Sequence, residues 1–512
     1  MILFFWFIAV LDKIGYYLYF WQVKEYRFDR VRAQLKEPGG MGILFTKNFY
    51  VKILCVLILA ITYRVQDFFY LVFFLYGVEV VYIFFRAAQG SMRMPIWTKK
   101  AITLFSITAI SVGVCYLLIP FSERVNFALY LLEIDLLAPV IVSFWVALFK
   151  PISFLAKQRL VAKAVKKRAR MENLIAVAIT GSFGKTSTKE FLAKILSEKF
   201  LVAKTNAHEN TEIGAARAIL AMPADTQILI AEEAAYRKGD IKEISAVVKP
   251  RIGIINGIGS QHLALFGSQQ AIIDTKFELA NALHRDGVLI LNWDNEYIKR
   301  KAKSEKRKII RYSIEDKAAD IFASDIDETL DGSFFTIHHG DENVRAQTVL
   351  LGKHNISNLL AASAVALEIG MSLEEIATAI ADIKAFERTL APRKGINNSF
   401  IIDDTYNASF EGVVSALDVL SLAKGKKIMV FTSLIELGEK AKELHAIIGR
   451  KIKEIIDVAI IVDEKYRKEL ESEKTIFITD PVRVIGKVKH EISTESVVLL
   501  EGRIPQSIID TL

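Results

Sequence analysis

Five stretches of the first 150 residues, 1–21, 49–63, 67–85, 101–120 and 126–149, are nearly free of charge and dense in Phe, Leu, Ile and Val. A helix needs about 20 such residues to cross the hydrocarbon layer of a bilayer. This region is therefore expected to be an α-helical membrane domain of about five spans, the second of them short. No small-residue cleavage site follows Tyr19, Phe20 and Trp21, so the first stretch is expected to be a retained span and not a removed signal.

Basic residues fix the expected orientation. They gather in 22–48 (Lys24, Arg27, Arg30, Arg32, Lys36, Lys47), in 86–100 (Arg86, Arg93, Lys99, Lys100) and in 150–170, while short connections near Gln66 and Glu123 carry few. Five spans put all three clusters on one side, the cytoplasmic side by the positive-inside rule. The expected location is a multi-pass cytoplasmic (inner) membrane protein with its globular part in the cytoplasm. A net charge of +8 raises the possibility of nucleic acid. The densest basic run (Lys157, Arg159, Lys163, Lys166, Lys167, Arg168, Arg170) directly follows an apolar span, which favours membrane lipid as the partner and no nucleic acid. Cys55 and Cys115 both lie in apolar stretches, so neither a disulfide nor a thiolate metal site is expected. Glu79, Glu133 and Asp135 also fall inside spans, where an ionisable group is either a functional candidate or a partner in helix pairing.

From about residue 171 the chain reads as ordinary globular sequence. Ala176 to Ile179 form a short apolar strand, Thr180-Gly181-Ser182-Phe183-Gly184-Lys185-Thr186-Ser187-Thr188 follow at once, and apolar residues then recur at helical spacing to Lys199. Strand, glycine loop and helix in that order make a phosphate cradle, because backbone N–H groups and the positive end of the helix face the anion. Lys185 is placed to neutralise β- and γ-phosphates, and the Thr186 hydroxyl to hold Mg²⁺. The general P-loop has glycine where Ile179 stands.

The form Thr-Gly-Ser-x-Gly-Lys-Thr resembles the Mur ligases of cell-wall peptide synthesis and their relative folylpolyglutamate synthase. Further blocks resemble that family in the right order: Thr205-Asn206 with Asn210 and Ile213-Gly214; Glu232, seven residues before Gly239; Asn256-Gly257-Ile258-Gly259; His262-Leu263; Phe266-Gly267-Ser268; Lys276-Phe277-Glu278; Gly352 to Asn358; Asp403-Asp404-Thr405-Tyr406-Asn407-Ala408; and Glu436-Leu437-Gly438-Glu439 with His445. The last blocks are most like the MurF-type branch, which adds D-alanyl-D-alanine. The resemblance covers about residues 171–512.

Joining a carboxylate to an amine requires an activated carboxyl group, which γ-phosphoryl transfer from ATP supplies as an acyl phosphate; the charge gathered there calls for Mg²⁺ and cationic clamps. The resemblance implies that Thr186, Glu232 and His262 bind metal, and that Lys276 is carbamylated and so able to hold a second Mg²⁺. It implies that Gly181, Ser182, Gly184, Lys185, Thr186 and Ser187 hold the phosphates, Asn355 and Asn358 the adenine, and Asp404 the ribose. Arg393, or Arg388 in its place, would be the arginine at the hinge between the central and last domains. Departures fall in the last domain, which in the family receives the incoming amino compound: Ser409-Phe410 replace Asn-Pro, Thr432-Ser433 replace Gly-Asp, and Glu501-Gly502-Arg503 stand for Lys-Gly-Ser-Arg.

The expected organisation is a membrane domain over 1–150, a basic juxtamembrane linker over 151–170, a central α/β ATP-binding domain over 171–392 with a β-rich excursion at 309–350, and a smaller Rossmann-like domain over 393–512. Alternating short apolar strands and helical stretches carry the last assignment. The expected activity is ATP-dependent ligation of an amino acid or dipeptide, D-alanyl-D-alanine foremost, to a cell-wall precursor peptide. Rival readings are a ligase for a non-cell-wall carboxylate, a non-catalytic nucleotide-binding scaffold, and an ATP-driven transporter. Soluble Mur ligases carry a uridine-nucleotide-binding domain ahead of the glycine loop. Only about 20 basic residues separate the last span from Met171 here, too few for such a domain. Two solutions follow: the central and last domains hold the peptide alone and the helices are a simple anchor, or the membrane helices bind a lipid-linked precursor, which is the favoured expectation.

Overall fold

The computed structural model describes residues 1–36, 40–61, 68–118, 124–259, 263–386, 388–406, 408–435 and 437–512. The expected connections near Gln66 and Glu123 lie outside them, as do His262, Asn407 and Glu436. The chain divides into two compact units, Met1–Ala156 and Lys157–Leu512.

The first unit is helical. Ile2–Val23, Phe69–Ala88, Lys99–Leu117 and the run Phe127–Ala169 are long and apolar enough to cross a membrane, whereas Asn48–Ile58 is shorter. Among the described residues four helices are therefore long enough, and the second expected span falls short. Trp6, Ile14, Leu18, Val72, Tyr76, Leu104, Leu131 and Leu132 form its core. A polar cluster lies among them. Lys13 Nζ is 2.6 Å from both carboxylate oxygens of Asp135, Lys52 Nζ is 2.5 Å from Glu79 Oε2 and also pairs with Asp135, and the Tyr76 hydroxyl donates to Asp135 at 3.2 Å. Asn48 donates to Glu79 Oε1 at 2.7 Å. Two lysines and two carboxylates cancel in charge, the arrangement that makes burial of ions tolerable. Glu79 and Asp135 thus take the helix-pairing role, and Glu133 is exposed. Cys55 is a buried free cysteine and Cys115 an exposed one.

The second unit opens with the basic stretch. Residues 151–170 are not an extended linker: helix Lys150–Ala169 lays Leu160, Val161, Ala164 and Val165 against Ala215, Ala216, Ile219, Ile244 and Val247. Arg168 donates to the carbonyls of Val248, Met171 and Leu174, and Lys167 to those of Leu220 and Met222. Two of the seven basic residues of the run, Lys167 and Arg168, therefore cap carbonyls at the C-terminal ends of helices Glu212–Ala221 and Asp240–Val248.

A nine-stranded sheet follows: β1 (Ile175–Thr180), β2 (Val202–Lys204), β3 (Ile228–Glu232), β4 (Ile252–Ile255), β5 (Val288–Asn292), β6 (Lys308–Ser313), β7 (Ile321–Thr329), β8 (Gly332–His339) and β9 (Glu342–Thr348), in the order 2-3-1-4-5-6-7-8-9. It is parallel from β2 to β7, and β7–β9 form an antiparallel meander, the β-rich excursion. The fully buried strands β3, β4 and β5 are continuous apolar runs, as a sheet covered on both faces demands. Helices Lys185–Ser197 and Lys353–Ile369 pack together on one face through Phe191, Leu192, Ile195, Ile356, Leu359 and Leu360.

A six-stranded sheet completes the chain: β10 (Ala391–Lys394), β11 (Phe400–Asp404), β12 (Lys427–Phe431), β13 (Val458–Ile461), β14 (Thr475–Phe477) and β15 (Val497–Glu501), ordered 10-11-15-12-13-14 and parallel apart from β10. Leu351, from ahead of helix Lys353–Ile369, is buried in the core of this last domain beside Val413, Leu417 and Val419, and Leu330 from the β7–β8 turn packs against the same core.

Candidate active site

The glycine loop leaves the C-terminal end of β1, between β3 and β4, where neighbouring connections depart to opposite sides. Ligands of open parallel sheets bind at such points. Gly184, in left-handed backbone at φ 76°, ends the loop and begins helix Lys185–Ser197. Its missing side chain is required twice over, because a Cβ there would lie 2.4 Å from Asn358 Oδ1 and 2.9 Å from Asn256 Nδ2. Below the loop, Asn256 donates to Thr188 Oγ1 at 2.6 Å and Thr188 donates to Asn358 Oδ1 at 3.2 Å. Ser182 N–H donates to the Gly257 carbonyl at 2.7 Å. The loop is thereby fixed from beneath, leaving first-turn N–H groups of the helix for an anion.

Lys185 folds back over the loop, donating to the Gly181 carbonyl at 2.8 Å, and burial pushes its ammonium below the usual lysine range against the pull of Glu232. Glu232, at the end of β3, accepts from Thr186 Oγ1 at 3.0 Å and from Asn210 Nδ2 at 3.1 Å, and Lys189 Nζ stands 3.3 Å away. Burial alone would raise its carboxyl; Lys185, Lys189 and the two hydrogen bonds outweigh that and hold it low. The fully buried Lys189 ammonium is ion-paired with Glu232 and, at 3.5 Å, with Glu190, and Thr186 and Glu232 together offer hard oxygen ligands. A phosphate-bound divalent cation fits that donor set. Among the described residues no three His, Cys, Asp or Glu side chains converge, and His262 lies outside them.

Lys276, on helix Gln269–Lys276, lines the same cavity and is buried; burial, and then repulsion by Lys185, bring its amine down to about 7. Its neighbour in charge, Glu233, is raised to about 8 by burial and accepts from Ser245 Oγ at 2.7 Å. Glu278 accepts from the N–H groups of Gly239 and Lys242, fixing the start of helix Asp240–Val248.

The cavity measures about 720 Å³, the size of a cofactor or nucleotide site. Residues 182–187, Asn210, Glu232, Lys276, Asn355, Asn358 and Asp404 all line it. Asn355 donates to the Leu351 carbonyl at 2.9 Å, and Asp404 accepts from Leu390 N–H at 3.2 Å. Burial raises Asp404 to about 7. The expected hinge arginine lies on β10, at the start of the last domain. Arg393 does not reach the cavity; its guanidinium donates to the Ile509 carbonyl at 2.8 Å because β10 is an edge strand facing the C-terminal helix. Arg388 is engaged with Gln506, and the arginine that lines the cavity is Arg503. Lys189 had a legible signal, since four residues after Lys185 it shares a helix face with it. His208 stacks on Tyr406 with ring centroids 5.3 Å apart, joining the central and last domains at the cavity rim.

The family described as "Mur ligase middle domain" matches residues 179–366, and "Mur ligase, glutamate ligase domain" matches 390–504. A UDP-N-acetylmuramoyl-tripeptide–D-alanyl-D-alanine ligase of Bacillus subtilis is 30% identical over 342 residues, 64% of this chain and 72% of that enzyme. The ligase of the same name from Escherichia coli is 30% identical over 321 residues, 62% of this chain and 66% of its own length. The MurF ligase of Thermotoga maritima, solved in complex with ADP, superposes with a TM-score of 0.64 at 25% identity, over 69% of this chain and 83% of that one. The chain belongs to the Mur ligase family.

Proposed function

We propose that this protein is a membrane-anchored, ATP-dependent ligase that joins D-alanyl-D-alanine to the peptide of a cell-wall precursor. The observation that carries the reading is the convergence of Lys185, Thr186, Glu232 and Lys276 on one cavity with Asn355 and Asp404. In this reading the glycine loop is a P-loop. Lys185 and the helix N-terminus hold the terminal phosphates, Thr186 and Glu232 hold Mg²⁺, and Asp404 accepts from the ribose. The likeness to ligases of that name, one of them solved with ADP, supports the nucleotide and the reaction class.

The chain's own groups then have defined work. Lys189 and Asn210 keep Glu232 ionised and oriented. Lys276, an amine near neutrality, is free to add CO₂ and become an anionic ligand for a second Mg²⁺, which would supply charge neutralisation at the carboxylate under attack. Transfer of the γ-phosphoryl group to the precursor carboxylate gives an acyl phosphate; attack by the amine breaks the carbon–oxygen bond and releases phosphate, leaving the amide. Arg503, which lines the cavity, offers a cationic clamp.

The test is to incubate the full-length protein with ATP, Mg²⁺, D-alanyl-D-alanine and a panel of precursor peptides and look for the ligated mass. ATP turnover without any ligated product would end the ligase reading. The four long apolar helices support a multi-pass membrane location, and a lipid-linked precursor is the substrate that location favours. Residues 157–512 retain the helix packed on the central domain and are the fragment to compare. Equal rates on uridine-linked and lipid-linked peptides, with and without residues 1–156, would reduce the helices to an anchor.

A further inference from the structure

Glu501 ends β15 with no exposed surface, and neither of its carboxyl oxygens meets a hydrogen-bond donor. Its partner in the strand register is Asp404 on β11, with Phe431 of β12 on the other side. Asp404 faces the cavity, while Glu501 stands behind it. Backbone bonds lock the two strand ends: Thr432 N–H donates to the Glu501 carbonyl at 3.2 Å, and Gly502 N–H to the Asp404 carbonyl at 3.3 Å. Asp404 Oδ1 takes the Leu390 N–H.

No cation offsets the pair among the described residues. On β11, Asp403 adds negative charge and accepts from the Thr405 N–H and hydroxyl. Beyond β12, Asp463 accepts from Ser433 N–H. On β10, Arg393 is spent on the Ile509 carbonyl, and Arg503 lines the cavity without pairing to either carboxyl. Two carboxylates side by side in a water-poor place cannot both ionise, so the pair retains one proton.

We propose that Glu501 is a positioning residue: as the neutral acid it donates a hydrogen bond to the free oxygen of Asp404 and holds that carboxylate toward the nucleotide ribose, and the site loses affinity when the pair gives up its proton. The proposal rests on the reading of Asp404 as the ribose-side acid. Burial first, and then the mutual repulsion of the pair, raise Glu501 well above the carboxylate range, in keeping with the shared proton. The sign for stability follows. Both carboxyls are raised, so the folded chain binds protons that the unfolded chain has released above about pH 4, and stability falls as pH rises from there, through about 7 for Asp404 and beyond it for Glu501.

The experiment uses the full-length protein in detergent, with ATP and Mg²⁺ affinity and unfolding temperature measured in parallel from about pH 6 to 9. Glu501→Gln keeps the donor and the shape but cannot titrate. Its affinity relative to wild type should rise with pH, the ratio cancelling the titration of the nucleotide itself, and its unfolding temperature should gain over wild type by roughly 2–4 °C at the alkaline end. Glu501→Leu, which removes the donor, should weaken ATP roughly tenfold at neutral pH. Parallel pH profiles of wild type and Glu501→Gln in both measurements would overturn the shared proton. A gain in unfolding temperature with no pH dependence in the affinity ratio would overturn the role in binding, and Asp404→Asn with undiminished ATP affinity would show that the ribose reading was the part at fault.

Discussion

In the helical unit the buried ammonium of Lys52 meets both Glu79 and Asp135, whereas in the α/β unit buried Lys189, Glu233 and Glu501 each keep a polar atom without a hydrogen-bond partner. Burial costs an ion several kcal/mol in either place. Where every charge is matched, the cluster serves cohesion, and helices from four parts of the sequence are tied by one neutral knot. Where buried groups are left short of hydrogen bonds, around the glycine loop and the end of β15, they adjoin Glu232 and Asp404, which line the cavity.

The largest effect that would break this contrast is expected at Lys185. Lys185→Ala should lower ATP turnover by at least about a hundredfold while leaving the protein folded, measured as ADP release alongside circular dichroism; unchanged turnover would place Lys185 with the cohesive charges. Lys276 comes next. Lys276→Ala should be nearly inactive and partly restored by a short-chain carboxylic acid that can replace an anionic ligand, whereas Lys276→Arg should stay inactive because it keeps a cation there. Near-normal turnover of Lys276→Arg would show that the positive charge is what the site uses.

In the helical unit, Asp135→Ala leaves two lysines facing Glu79 alone and should destabilise the bundle by about 3–5 kcal/mol, without a comparable loss of turnover in the molecules that remain folded. Thermal unfolding in detergent with turnover per folded molecule reads both; a loss confined to turnover would make the cluster functional. The smallest effect is expected at His354, whose ring burial lowers to about 4 and whose Nδ1 has no partner. The unfolded imidazole takes a proton below about pH 6.5, which the folded one refuses until about 4, so stability should fall across that window by at most on the order of 3 kcal/mol. His354→Gln should flatten this acid limb of the unfolding temperature and leave values above pH 7 unmoved.

What the sequence disclosed follows the same division. The strand, glycine loop and Lys185-to-Thr188 run are local, and backbone rules alone place them. Glu232 was legible because strand β3 ends on it. Lys13 and Lys52 were not, because a lone lysine in an apolar run resembles an interfacial residue until the helix that carries its counter-ion is known. The contact of Arg393 was hidden for a related reason: chain order brings two arginines to the approach of β11, but only the antiparallel pairing of β10 determines that Arg393 turns toward Ile509. The run from Lys157 to Arg170 read as a membrane-facing patch, and charge alone could not reveal that Lys167 and Arg168 are consumed by helix ends while Arg159, Lys163, Lys166 and Arg170 stay exposed.

Leu351 and Leu330 belong by sequence to the central domain and by packing to the last one. A swing of the last domain away from the glycine loop has to carry both into water, at about 1.5–3 kcal/mol for a leucine fully exposed. A gap of that size leaves the open form at roughly a few per cent of molecules or fewer. In the proposed function these two leucines would act as a greasy latch on the closed form well away from the phosphates, and trimming Leu351 would loosen it without touching a single group that handles charge.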